Sequence, residues 1–148
     1  MEAAIEQFRH DMVRVKNLAT HAISTPELSD ILRAEIVFAV SALDNFIHNM
    51  ARIGLLEILQ GQRSETPAYQ RFQVSMETVI FCRSEPQPLE QEWVDWFDNL
   101  IREKHSWQSF QYPDKIAEAI RLISEIKLWD EVAKELGFEA KVFLKKKL

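Results

Sequence analysis

A long apolar stretch in the first half of the chain limits the possible folds more than any other feature. Its periodicity predicts one helix over about residues 27–60, with Gly61 as the C-terminal stop. At 1.5 Å per residue this helix would be roughly 50 Å long. Between Ile36 and Leu56 it is apolar on nearly all sides. A helix of that kind is normally covered by its neighbours or by a second subunit.

The rest of the sequence predicts further helices. Apolar residues at helical spacing predict a first helix over residues 2–23, a third over 67–82, a fourth over 89–105, a fifth from 113, and a short sixth that ends at Gly137. Threonine–proline pairs at Thr25–Pro26 and Thr66–Pro67 predict two of the helix starts, because threonine caps a helix and proline suits its first turn. We therefore expect a single all-α domain over residues 1–148, a compact bundle of about six helices with a long central one.

Composition limits the function classes. The formal net charge is -5, whereas a protein that binds nucleic acid by bulk electrostatics usually carries a basic surplus. Any RNA contact would therefore be a local site. The one dense basic run, Lys145 to Lys147, is expected to be a solvated end. The single cysteine, Cys82, allows no internal disulfide and is expected in the core.

The sequence indicates a cytoplasmic protein that does not enter the membrane. The N-terminal residues MEAAIEQFRH are acidic and amphipathic, unlike a signal peptide. The longest apolar stretch contains Glu35, Asp44, His48 and Arg52, and these charges argue against a membrane-spanning helix.

Several cofactor motifs are absent from the sequence. The three glycines, at positions 54, 61 and 137, cannot form a GxGxxG or GxxxxGK[ST] phosphate loop. Neither HExxH nor ExxH occurs, which argues against a zinc protease site and a di-iron bundle. One cysteine excludes a cysteine-rich zinc site. No metal or cofactor is therefore expected.

One polar constellation lies within the long apolar helix. Ser41, Asp44, His48 and Arg52 are spaced by three, four and four residues, so they share one stripe. A carboxylate beside an imidazole favours imidazolium and fixes the ring tautomer, and Arg52 could pair with that carboxylate or bind a phosphate. Asp44, His48 and Arg52 are therefore the candidate catalytic residues. The same spacing is more often found on a stripe that faces solvent or a polar subunit interface, and that alternative stays open.

Two other groups of residues have structural interpretations. The four tryptophans, at 93, 96, 107 and 129, are expected in the core rather than as stacking platforms for bases. His105 lies at the end of the fourth helix, where a positive charge would stabilise the C-terminus.

Three segments together resemble the HEPN superfamily, and the RiboL-PSP-HEPN branch in particular. They are IVFAVSALDNFIHNMARIGLLEIL, IREKHSWQSFQYPDKIAEAIRLI and LWDEVAKELG, and the resemblance covers about residues 32–145. SALDNFIHNMAR and SFQYPDKI carry most of it. The resemblance implies a helical bundle that pairs as a two-fold homodimer. It also implies a metal-independent endoribonuclease of toxin–antitoxin or defence systems, with RNA and an antitoxin or other protein as partners.

The family's catalytic signature is an arginine followed, after four to six residues, by a histidine. The arginine stabilises charge on the phosphate while the histidine acts as general acid or base. In the branch resembled here the signature follows the LWDEVAKELG segment, but this sequence ends with FEAKVFLKKKL. We therefore expect a C-terminally truncated, catalytically incomplete domain. Arg14 and His21 match the spacing formally, but they lie on the first helix and are not expected to be catalytic.

Three hypotheses follow. The leading one is a domain of a ribonuclease or defence lineage that acts through dimerisation or through contact with RNA or a partner. The second is an active endoribonuclease that uses Asp44, His48 and Arg52. The third is a non-catalytic module that binds a full-length partner.

Overall fold

A computed structural model describes residues 1–21, 28–83 and 89–138. Within these ranges the chain forms seven helices and no strand, which confirms the all-α class. The helices are α1 (Glu2–His21), α2 (Leu28–Leu59), α3 (Pro67–Gln70), α4 (Met76–Cys82), α5 (Glu90–His105), α6 (Pro113–Ile123) and α7 (Leu128–Glu135).

The second half of α2 is the centre of the bundle and packs against α5 and α6. Its residues Ala51 and Leu55 are fully buried. One core cluster comprises Leu55, Ile58, Phe97, Ile101, Ile120 and Ile123. A second comprises Ile47, Ala51, Phe110, Ile116 and Ala119. The predicted long central helix is thus confirmed, with 32 residues and a length of about 48 Å.

The close approach of α2 and α6 depends on Gly54. A Cβ atom at this position would lie 2.6 Å from Cγ2 and 2.7 Å from Cβ of Ile123. Glycine therefore lets the branched Ile123 side chain contact the α2 backbone directly.

The first half of α2 is covered mainly by α1, which runs antiparallel to it. The rings of Phe8 and Phe46 stack with centroids 4.6 Å apart, and Val15 on α1 is buried. Yet Ile36 and Val37 remain 65% and 62% exposed. The neighbouring helices of one chain therefore leave this part of α2 partly uncovered, and the buried residues of both core clusters begin only at Ile47. Cover by a second subunit, the other alternative that the sequence offered, stays a prediction.

The predicted third helix is in fact two helices, so the described chain has one more than expected. Helix α3 ends at Gln70, and α4 begins after Ser75, whose Oγ accepts a hydrogen bond from the N–H of Thr78 at 3.3 Å. Between them, Lys104 of α5 donates to the backbone oxygen of Gln73 at 2.5 Å. A side-chain cap and a tertiary contact thus divide the predicted helix in two, although the apolar periodicity continues.

Several predicted helix ends are confirmed. Gly61 and Gly137 follow their helices with φ of 72° and 75°, a conformation that favours glycine. Thr66 caps α3 by accepting a hydrogen bond from Tyr69 N–H at 3.0 Å, and Pro67 occupies the first turn. The predicted cap at Thr25–Pro26 and the run Lys145 to Lys147 lie outside the described residues, and the Cys82 side chain is also not described.

The tryptophans only partly match the expectation of a core role. Trp96 packs against the first core cluster, and Trp93 contacts Trp96 with ring centroids 6.1 Å apart. Trp107 is 92% exposed, so the expectation is wrong there, since this residue lies just after α5. Trp129 is 39% exposed, and its Nε1–H donates to the Pro113 oxygen at 2.9 Å.

None of the described helices is long and apolar enough to cross a membrane.

Candidate functional site

The polar stripe of α2 lies at a seam inside the fold. Asp44 and His48 face the segment 106–112 between α5 and α6, and Arg52 faces α5 itself. Ser41, at the start of the stripe, instead lines a groove beside α1. Three of the four residues therefore share one seam, while Ser41 lies elsewhere.

Asp44 anchors the segment between α5 and α6. Its Oδ1 accepts a hydrogen bond from the backbone N–H of Phe110 at 2.5 Å and another from Ser109 Oγ at 3.3 Å. Phe110 is 2% exposed and belongs to the second core cluster. The carboxylate thus satisfies a backbone donor next to a buried ring, a role that stabilises the fold directly.

His48 connects the same segment to α2. Its Nε2 lies 3.2 Å from the oxygen of Gln108 and 3.5 Å from Oδ2 of Asp44. Since both neighbours accept hydrogen bonds, Nε2 carries the hydrogen. The ring also meets Phe110 edge-on at 4.5 Å between centroids. The histidine is held by a carbonyl, a carboxylate and an aromatic ring.

Arg52 is already paired with a carboxylate of α5. Its Nε and Nη2 donate to the two oxygens of Asp98, the latter at 3.0 Å, and Arg102 donates to Asp98 Oδ2 at 3.0 Å. Partial burial alone would raise the pKa of the Asp98 carboxyl, but the two arginines outweigh it and hold that pKa below its usual value. Binding a phosphate would require Arg52 to leave this bidentate pair.

The structure adds His105, which the sequence reasoning placed as a helix-terminal cation. Its ring lies 6.2 Å from that of His48, and the residue is only 5% exposed. Burial, with smaller contributions from the charges of His48 and Lys104, lowers the pKa of His105 to about 4. The residue is therefore neutral at pH 7, and the expectation of a cation is wrong. The four-residue spacing of Phe97, Ile101 and His105 would have predicted its inward position.

The seam brings two imidazoles, a carboxylate and two guanidinium groups close together, and solvent reaches most of them only partly. The side chain of His48 is 25% exposed, whereas His105 below it is buried, with Nδ1 lacking a hydrogen-bond partner. Arg102, at 59% exposed, is the most accessible charge of the seam. In the described ranges, no three His, Cys, Asp or Glu side chains lie close enough to hold a metal ion.

Two grooves flank α1 where it packs on the first half of α2. The larger has a volume of about 740 Å³, with Leu18, Phe38 and Ala42 among its apolar lining. The smaller, of about 330 Å³, is on the other side and includes Met12, Val13, Lys16 and Glu35. We call the surface around the smaller groove the outer flank.

No known protein family, curated protein or solved structure matches this chain.

Proposed function

We propose that this chain is an assembly domain of the HEPN ribonuclease and defence lineage, working in the cytoplasm, which acts by pairing with a second copy. The observation that carries the proposal is the exposed apolar surface on the first half of α2. Leu32, Ile36, Val37 and Phe38 are 44%, 65%, 62% and 55% exposed. Leu32 and Ile36 are four residues apart and therefore lie on one side of the helix, where they form an exposed apolar patch of the kind that marks an interaction surface.

The geometry of the α1–α2 hairpin supports a second copy as the partner. Val37 points about 100° from Ile36 and is also exposed, whereas Phe38 points to nearly the opposite side of α2 and lines the larger groove beside α1. A second hairpin packed against the first would complete a four-helix arrangement by two-fold symmetry. Covering Leu32, Ile36 and Val37 in each copy would contribute on the order of 5 kcal/mol before the cost of association.

The occupied hydrogen bonds of the polar seam support a structural role for Asp44, His48 and Arg52. Each of the three holds a group from outside its own helix. Catalysis by these residues would require breaking contacts that join α2 to α5 and to the segment 106–112.

Sedimentation over a wide range of protein concentrations tests the proposal. We expect a dimer for the wild type, and a shift toward monomer for Leu32→Glu and Ile36→Glu. Arg33→Ala is the control, because Arg33 is exposed on the same helix and makes only a surface ion pair. A wild-type protein that stays monomeric at every concentration overturns the proposal, and a stable complex with a different protein, such as an antitoxin, would replace it.

Metal-independent RNA cleavage is the second candidate, and the position of His48 beside the neutral His105, with ring centroids 6.2 Å apart, favours it. A neutral imidazole can accept a proton, and the neighbouring Arg102 could neutralise a phosphate. The test is incubation of end-labelled RNA with the purified protein in EDTA. Cleavage that His48→Ala abolishes and His10→Ala preserves would support this function, since His10 is exposed on α1. Intact RNA at every protein concentration would exclude it.

A further inference from the structure

The larger groove between α1 and the first half of α2 changes from apolar to polar along its length. Leu18 of α1 and Phe38 of α2 line one end, and they are 39% and 55% exposed. The buried side chains of Val15 and Ala42 lie between the two helices and form the floor. Asn17, an exposed residue beside Leu18, is the polar exception. This end of the groove therefore offers apolar surface that a ligand can reach.

The other end of the groove carries two opposite charges. From Leu18 toward the start of α1, the charged lining residues are first Arg14 and then Asp11. Ser41 and then Asn45 follow in the same direction on the antiparallel wall formed by α2. Arg14 and Asp11 are three residues apart, which is about 4.5 Å along the helix axis. From one end to the other, the groove thus presents apolar surface, then a cation, then an anion.

Both charges are available to a ligand. Arg14 is exposed, and its side chain makes no hydrogen bond or ion pair in the described part of the chain. The Asp11 side chain is 24% exposed, and its Oδ1 accepts a hydrogen bond from Gln7 Nε2 at 3.1 Å. The nearest cation to Asp11 within the described residues is the His10 ring, whose Nδ1 lies 3.9 Å from that oxygen. A molecule that carries a charge of each sign would therefore neutralise both residues.

We infer that the larger groove binds one free molecule of a single-chain zwitterionic amphiphile, of the phosphocholine or phosphoethanolamine type. In such a molecule an apolar tail is followed by a phosphate and then by an ammonium group, which is the order complementary to the groove. The tail covers Leu18 and Phe38. The phosphate accepts hydrogen bonds from the Arg14 guanidinium, and the ammonium group meets the Asp11 carboxylate. The groove volume of about 740 Å³ is within the range of small-molecule sites.

Amphiphiles with a single charge fit the groove less well. A fatty acid would place its carboxylate beside Asp11 as well as Arg14, and a cationic amphiphile would place its charge beside Arg14 as well as Asp11. The inference goes beyond the proposed function and does not rest on it. Phe38 points to nearly the opposite side of α2 from Ile36, so the groove stays open when the patch around Ile36 is covered.

Calorimetric titration with matched probes tests the inference, with each probe kept below the concentration at which it forms micelles. Octylphosphocholine carries both charges, octyl sulfate only the anion, octyltrimethylammonium only the cation, and phosphocholine lacks the tail. We expect one octylphosphocholine to bind per chain, more tightly than either probe with a single charge, and phosphocholine to bind too weakly to detect. Hexylphosphocholine should bind more weakly than octylphosphocholine, by up to about fourfold for each methylene group that the groove covers.

Variants of the two charges show whether the head group lies as inferred. Arg14→Gln should weaken the binding of octylphosphocholine and octyl sulfate by about two- to fivefold, as for an exposed ion pair, but not that of octyltrimethylammonium. Asp11→Asn should weaken only the probes that carry an ammonium group. Phe38→Ala should weaken all the probes with an octyl tail. Lys16→Gln is the matched control, because Lys16 is an exposed cation of the same helix on the outer flank. Circular dichroism establishes that each variant is folded.

The outcomes also separate this inference from the proposed function. If the wild type shows no saturable binding of octylphosphocholine below the micelle concentration, the inference is wrong. Equal affinities for the three octyl probes, or an effect of Lys16→Gln as large as that of Arg14→Gln, would show that binding follows apolar surface alone, and the inference would again be wrong. Ile36→Glu should bind octylphosphocholine as the wild type does, even where it sediments as a monomer. Loss of binding in Ile36→Glu would place the amphiphile at the pairing patch instead of the groove.

Discussion

The carboxylate of Asp44 accepts the backbone N–H of Phe110, a residue sixty-six positions later in the chain, at 2.5 Å. This bond joins the middle of α2 to the segment that leads from α5 into α6. Phe110 is buried beside Ile47 and Ala51 of α2, so the bond and the apolar contacts support the same position. The polar stripe of α2 therefore helps to determine how α6 enters the core.

Loss of the Asp44 carboxylate should destabilise the fold. In Asp44→Ala the N–H of Phe110 loses its acceptor in a part-buried position, and we expect the free energy of unfolding to fall by about 1–3 kcal/mol. Asp44→Asn retains a side-chain oxygen that can accept the same bond and should lose less. Chemical denaturation measures both changes. Asp30→Ala is the control, because Asp30 is exposed and its pair with Arg33 contributes little. Equal stability of wild type and Asp44→Ala would contradict this role.

The Arg52–Asp98 pair should contribute more than the Arg102–Asp98 pair. Arg52 and Asp98 have side chains only 28% and 19% exposed, whereas Arg102 is 59% exposed. We expect Asp98→Ala to cost about 2 kcal/mol, since it leaves Arg52 partly buried without its carboxylate, and Arg102→Ala to cost less than about 1 kcal/mol. A double-mutant cycle between positions 52 and 98, measured by urea denaturation, isolates the coupling.

The Asp98 pair also has a predicted pH dependence. The folded-state pKa of Asp98 is lower than its usual value, so its stabilising contribution is complete above the usual carboxylate pKa. It is lost as the pH falls through the lowered value. Asp98→Ala should therefore lose less stability than the wild type at the acidic end of a pH series.

Burial of neutral His105 should make the protein less stable in mild acid. Its pKa is about 4 in the folded protein and near 6.5 in an unfolded chain. The unfolded state therefore binds more protons between these values. The contribution of neutral His105 to the free energy of unfolding is complete above pH 6.5. It is lost progressively as the pH falls toward 4, by up to about 3 kcal/mol.

Urea denaturation between pH 5 and pH 7.5 tests this dependence. This pH range lies above the pKa of Asp98, so that carboxylate stays ionised throughout. His105→Leu removes the titrating group and the unpartnered Nδ1 together, so its stability should vary less over this range. His10→Leu is the control, because His10 is exposed on α1. An unchanged slope in His105→Leu would show that other groups cause the pH dependence.

The sequence predicted the helices well where local signals and burial agree. The long α2, the Thr66–Pro67 start and the two glycine stops all follow from backbone preferences that tertiary contacts reinforce. The break between α3 and α4 was not predicted, because the apolar pattern continues through it. The contact that holds the chain between the two helices comes from Lys104, more than thirty residues away in the sequence.

The site was predictable only in part. Spacing alone placed Asp44, His48 and Arg52 on one stripe, because helix geometry determines that relation. Their partners, Phe110, Gln108 and Asp98, belong to other elements, and no local pattern identifies them. Spacing likewise could not show that the stripe faces a seam inside the fold.

The contact between α2 and α6 should not tolerate a side chain at position 54. Replacing glycine with alanine inside a helix would ordinarily stabilise it by about 1 kcal/mol. At Gly54, however, the new Cβ would lie 2.6–2.9 Å from three atoms of Ile123, including its branched Cβ. We expect the clash to dominate and Gly54→Ala to lose about 1–3 kcal/mol of stability in thermal or chemical denaturation. A more stable Gly54→Ala protein would show that α6 moves away without cost.

Two tryptophans should respond differently to truncation because one is exposed and the other packs on the core. Trp107 is 92% exposed, so Trp107→Ala should change the free energy of unfolding by less than about 0.5 kcal/mol. Trp96 packs against the first core cluster and stacks on Phe81 at 5.7 Å between centroids. Trp96→Ala should therefore cost about 2–4 kcal/mol. Urea denaturation followed by circular dichroism measures both without relying on tryptophan fluorescence. A large loss in Trp107→Ala would place this side chain in a contact with another molecule, and repeating the measurement at low protein concentration would then reduce the loss.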